Sequence, residues 1–139
     1  MKKMISLMTL LFSFSGIFAH VSLHNADEII GLYWSPKKDA KIEIFKRGNK
    51  YYGRSVWVET LRKDSENPDE TLKDREVLGI ELLTGFSFNE GSYTDGKIYD
   101  PESGKTYDCK LTLTGKILKV RGYIGISLFG RTETFERIK

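Results

Sequence analysis

The chain has 139 residues, 40% hydrophobic and 29% charged, with 22 Lys and Arg against 19 Asp and Glu and a single cysteine. This length makes one domain, and one cysteine excludes a fold held by internal disulfides, so the apolar core must stabilise it alone. No long basic block occurs, which sets nucleic acid aside, and two of the net +3 charges come from Lys2 and Lys3 at the N-terminus.

Those lysines open a leader. Met4 to Phe14 is apolar apart from Ser and Thr, and Gly16-Ile17-Phe18-Ala19 supplies a small residue for cleavage. The pattern predicts an export signal over residues 1–19 and a single mature domain over 20–139, periplasmic or extracellular. The run is shorter than the roughly 20 apolar residues of a transmembrane helix, so no membrane span is expected after cleavage. His20 and His24 follow at once. An amino-terminal His can chelate copper, but no further ligand cluster accompanies it, and neither a metal nor a cofactor is expected.

Beyond the leader, period-two alternation replaces helical spacing. A first strand is predicted from Ile29 to Trp34, ended by Ser35-Pro36. Lys41–Arg47 alternates, turns at Gly48-Asn49, and returns as Tyr51–Glu59. Residues 60–76, TLRKDSENPDETLKDRE, break the pattern as a charged surface loop, a possible lid over one barrel end. Asn67-Pro68 is placed to start one short helical turn there. Strands resume at Val77–Leu83, Phe86–Asn89 and Tyr93–Tyr99, and the turn Asp100-Pro101-Glu102-Ser103-Gly104 leads to Lys105–Thr114. Gly115-Lys116 turns the chain into Ile117–Tyr123. Gly122, Gly125 and Gly130 mark bends or bulges before a last strand, Thr132–Ile138. About eight short antiparallel strands predict an all-β fold, a small up-and-down barrel, with a sandwich as the competitor.

Gly31 with Trp34, Asn67-Pro68-Asp69, GKIYDPESGKTY at 96–107 and VRGYIGISLFGRT at 120–132 resemble a family of bacterial exported proteins, domain of unknown function family 2147. The resemblance covers nearly the whole mature chain and implies a lipocalin-like barrel with no settled activity. The family pattern places a Trp two residues after the Gly. Here Tyr33 holds that place and Trp34 follows, leaving two rings as alternatives for the barrel base.

A lipocalin-like barrel implies a first-strand Trp packed under a late Arg, so Trp34 with Arg131 or Arg137 is the expected structural plug, with a ligand-pocket role for Trp34 as the alternative. Arg121-Gly122-Tyr123 resembles the Arg-x-Tyr carboxylate clamp of fatty-acid-binding barrels. Alternation turns Arg121 and Tyr123 outward if Leu118 and Val120 face in, unless a bulge at Gly122 reverses it. Arg54 shares a strand face with Val56 and Val58, which favours an inward position. Trp57, Tyr99 and Tyr107 complete the candidate ligand-facing set. The lumen wall is expected from Ile42, Ile44, Val56, Ile80, Leu82, Leu111 and Val120, with Cys109 as a small buried residue.

No nucleophile-elbow Ser, HExxH, phosphate loop or Cys–His pair occurs, so no catalytic residue is assigned and an enzyme is not the expected class. Two functions fit: a module that holds a small amphipathic or hydrophobic ligand, or a cell-envelope protein-interaction module with a filled barrel. A lumen of roughly 300 Å³ or more, lined mainly by apolar groups, distinguishes the first.

Overall fold

The computed structural model describes residues 25–139; the leader, His20 and His24 lie outside the described residues. Eight antiparallel strands close into a barrel in chain order. They are β1 (Gly31–Trp34), β2 (Ala40–Arg47), β3 (Lys50–Val58), β4 (Glu81–Asn89), β5 (Ser92–Asp100), β6 (Lys105–Thr114), β7 (Ile117–Tyr123) and β8 (Gly130–Arg137). Pairing of Tyr33 with Arg137 and of Trp34 with Glu136 joins β8 to β1, so no sheet edge is left open.

Three local departures from the sequence expectation have identifiable causes. Residues Ala26–Ile29 form a 3-10 turn because the Asn25 side chain accepts the Asp27 N–H at 3.0 Å, so the strand starts only at Gly31. Val77–Leu83 and Phe86–Asn89 are not separate strands. Gly85 at φ 75° carries β4 through without a break, and residues 77–80 belong to the long loop. The helical turn in that loop is Glu70–Leu72, capped by Asp69, whose carboxylate accepts from the Thr71 N–H at 3.0 Å and the Thr71 hydroxyl at 2.7 Å. Pro68 therefore precedes the cap instead of opening the turn.

The two ends of the barrel differ. At one end, two-residue turns at 48–49, 90–91 and 115–116 join the strands. At the other lie the longer connections 35–39, 59–80, 101–104 and 124–129. The tight end is packed solid. Tyr33, Tyr51, Phe86 and Tyr93 fill it with Ile44, Leu111, Leu118 and Val120, all at most 3% exposed, and Tyr51 meets Tyr93 edge-on at 5.2 Å. Cys109 is fully buried in this core, and burial pushes its thiol up to about 12. A maleimide should therefore leave the native protein unmodified at neutral pH and label it only in denaturant; rapid native labelling would contradict this packing.

The 26–29 turn closes the packed end. The Tyr33 hydroxyl donates to the Ile29 carbonyl at 2.8 Å, Tyr93 to the Ala26 carbonyl at 2.6 Å, and Tyr51 to the Asp27 carboxylate at 2.5 Å. Arg137 lies over the Tyr33 ring, 5.2 Å from its centre, and donates to the carbonyls of Glu28 and Ile30. The plug is thus Tyr33 with Arg137. Trp34, one residue on, faces the opposite side of the strand, and Arg131 stands at the far end with a side chain 86% exposed. Arg137→Met should lower the unfolding free energy by roughly 2 kcal/mol, through loss of two charged hydrogen bonds and the ring contact; urea unfolding checks it, and an unchanged midpoint would deny Arg137 this role.

Candidate functional site: the open end of the barrel

Above the packed half the described side chains leave a hollow. A cavity of about 1180 Å³ opens between the longer connections. Ile42, Leu83 and Phe135 form its buried floor, Ala40, Val58, Leu82 and Ile98 its apolar wall. Val77 and Thr60 line it from the long loop, which builds one side of the mouth. A second hollow of about 590 Å³, between Arg75 and Thr84, lies near the root of the same loop.

Among the described residues Ser55 is the one polar group on the buried floor, and its hydroxyl is already engaged. It donates to the Val77 carbonyl at 2.6 Å and accepts the Gly79 N–H at 2.9 Å, pinning the end of the long loop. That duty explains why a serine points inward. Between Lys41 and Ile42 the β2–β3 register slips: Ile42 faces Ser55, whereas Lys41 faces Trp57. Val56 is the extra residue of this bulge. Alternation is thereby reset, so that Val56 and Trp57 are exposed while Val58 regains the cavity.

Arg54 lies outside the barrel, contrary to the inward expectation. Its guanidinium donates to the Glu43 carboxylate at 2.7 Å and lies 4.8 Å from the Phe45 ring centre. Trp34 and Trp57 meet edge-on at 5.8 Å on the outer wall, with the Lys41 ammonium over both rings. Arg121 also points outward, because the β6–β7 register runs unbroken through Cys109–Gly122 and no bulge reverses it. Its guanidinium holds the carbonyls of Ser127 and Leu128 and the Thr132 hydroxyl. Tyr123 sits at the rim opposite Asp108. Of the candidate ligand-facing residues, Tyr99, Tyr107 and Tyr123 border the cavity, whereas Trp34, Arg54, Trp57 and Arg121 do not.

Sequence reading missed two groups. The first is Asp64, fully buried beneath the rim. It accepts from Tyr99 at 2.6 Å, from the Asn67 amide at 2.8 Å and from Arg75 at 2.9 Å. Burial pushes its carboxyl up, but these three donors outweigh burial and hold it below the ordinary 3.8. The network ties the long loop to β5. Gly104, at φ 72°, completes the tie, since a Cβ there would strike the Glu66 carbonyl. Asp64 lies in a charged run that reads as solvated surface, so nothing in the sequence marks it as buried.

The second is Gly122. It lines the cavity, its φ lies outside the left-handed region, and a Cβ built on it has only ordinary neighbours, Ile98 at 3.6 Å and Tyr107 at 3.8 Å. Backbone geometry does not demand glycine here. What its missing side chain leaves is lumen.

Rim charge is mixed. Lys37, Arg62 and Arg131 stand among Asp39, Glu59, Asp100, Glu102 and Glu133. Arg62 faces Glu102 at 3.9 Å and Arg131 faces Glu133 at 3.1 Å. Among the described residues no cation reaches the floor, so they offer no clamp for a carboxylate at depth. Among the described residues no cluster of His, Cys, Asp and Glu could hold a metal, and no helix is long and apolar enough to cross a membrane.

Known proteins bear on this architecture in two ways. The structure is similar to protein HP1028 from Helicobacter pylori, described as belonging to the lipocalin family, with a TM-score of 0.74, 23% sequence identity and coverage of 81% of this chain and 84% of that one. At that identity the likeness concerns the fold. No curated protein gives a significant match to the sequence. A family model described as an uncharacterized protein conserved in bacteria (DUF2147) matches residues 31–137, the span from the first residue of β1 to the last of β8. The chain belongs to that family.

Proposed function

We propose that the protein is an exported binding barrel that holds one small amphipathic ligand, its apolar part in the lumen and its polar part at the rim. The cavity carries this reading: about 1180 Å³, with an apolar floor whose one polar group, Ser55, is satisfied internally. Such a floor offers apolar contact without a polar group left bare. The polar end meets a rim with more acids than bases, which suits a neutral or zwitterionic group better than a bare carboxylate. Export, to the periplasm or the medium, rests on the leader pattern at residues 1–19.

Titration with a fluorescent amphiphile tests the reading. Saturable emission at one probe per chain, displaced by unlabelled amphiphiles, is the expected result. Emission that grows without saturation, or that is unaffected by competitors, would count against a lumenal site.

A further inference from the structure

Four tyrosine hydroxyls have fixed acceptors inside the protein. Tyr33, Tyr51, Tyr93 and Tyr99 donate to the Ile29 carbonyl, the Asp27 carboxylate, the Ala26 carbonyl and the Asp64 carboxylate, at 2.5 to 2.8 Å. Tyr107 departs from that pattern. It faces inward on β6, since Cys109 and Leu111 on the same strand face are buried and its β5 neighbour is the cavity residue Ile98. It borders the cavity half-buried, yet no described residue takes its hydroxyl as a hydrogen-bond partner. Ser55, the polar group of the floor, is already used by the long loop. Tyr123 alternates with outward Arg121 and meets the cavity only at the rim. Below the charged rim, one polar group among the described residues is therefore free to meet a ligand.

We propose that Tyr107 sets the ligand class: its hydroxyl donates to the carbonyl of an acyl ester or acyl amide whose apolar tail lies in the lumen. The inference rests on the lumenal site proposed above and names what that site selects. A phenol brings one O–H donor to an otherwise apolar wall, and a ligand that leaves it bare forfeits a hydrogen bond. The position of Tyr107 along β6 fits a group between tail and head. The strand leaves the rim turn at Lys105, and Cys109, two residues beyond Tyr107, already belongs to the packed core. An acyl carbonyl occupies that middle place in an amphiphile.

The acceptor must also be uncharged. A carboxylate or phosphate beside Tyr107 would need a cation to offset its desolvation. Ile98 and Leu83 pair across β5 and β4 on that side and bring none. Arg131, across β8 from Gly122, is turned to solvent with a side chain 86% exposed and is faced by Glu133 at 3.1 Å. Gly122 supplies the space: a Cβ there would lie 3.8 Å from the Tyr107 Cβ, and its absence leaves room for a ligand beside this residue.

The test displaces the fluorescent amphiphile from the full chain with two competitors, monolauroylglycerol and its dodecyl ether analogue. They share tail length and head and differ in the carbonyl. Tyr107→Phe should weaken the ester by about fivefold and leave the ether within about twofold of the parent value. Tyr52→Phe, on the outer wall against Phe45, should move neither. Equal weakening of both competitors by Tyr107→Phe would reduce the residue to a matter of shape, and an unmoved ester would leave its hydroxyl without a ligand; either overturns the proposal. So would a saturable fluorescent probe that neither competitor displaces. A parent protein with no saturable probe site fails earlier, at the lumenal reading itself, and takes this one with it.

Discussion

Replacing Asp64 with alanine is expected to lower the unfolding free energy by about 3 kcal/mol and to free the 59–80 segment from the rim. The carboxylate is fully buried and accepts from Tyr99, Asn67 and Arg75. Removing it leaves the Tyr99 hydroxyl and the Asn67 amide without their acceptor and unbalances the Arg75 charge. Arg75 is 37% exposed and can turn to water, which keeps the cost near the lower limit for a broken buried pair. Loss of the tie should show as faster hydrogen exchange at the Asp64 and Val77 amides, which bond to Arg75 and Arg62 across the loop. Unchanged exchange there would mean that other contacts fix the loop.

Acid should do part of the same work. The folded Asp64 carboxyl titrates below its ordinary 3.8, so its contribution is complete above that value and is lost as pH falls through the folded one. Thermal stability should therefore hold from neutrality to about pH 5 and then decline. Asp64→Asn should start lower and decline less steeply over the same range. Parallel curves would show that other carboxylates govern acid unfolding.

Gly122→Phe should leave the barrel folded, with stability within roughly 1 kcal/mol of the parent, and weaken amphiphile binding by about tenfold or more. The substituted residue lies on a continuous β7 ladder with ordinary φ, where an aromatic is favourable to a strand. Its ring has only the cavity to occupy, since the nearest atoms to a Cβ are 3.6 Å away or more. Binding that survives with circular dichroism unchanged would place the ligand outside the lumen.

Much of the fold was legible because turn chemistry and alternation agree. Gly48-Asn49, Gly115-Lys116 and the Asp100–Gly104 turn each separate runs of period two, and β6 and β7 begin and end where those signals place them. Family membership followed from the long C-terminal motifs. The site was harder to read because a barrel interior is not simply its apolar face. Val56 was expected to face the lumen, yet the alternation that puts Tyr51, Gly53 and Ser55 inward turns it out, and the bulge at Val56 turns Trp57 out beside it, while Ser55 holds loop backbone from within. Tyr33 takes the base, where a ring with a hydroxyl can reach the Ile29 carbonyl; Trp34 packs outside with Lys41. Asp64 and Arg75 meet across eleven residues of charged loop, a pairing that neither composition nor spacing encodes.

The most direct measurement is native mass spectrometry of the protein purified gently from its own cells. The expected spectrum shows a discrete added mass on the folded chain, removed by solvent extraction and absent from Gly122→Phe purified alongside. A bare mass for the parent protein, with no amphiphile in the extract, would contradict a ligand-holding barrel.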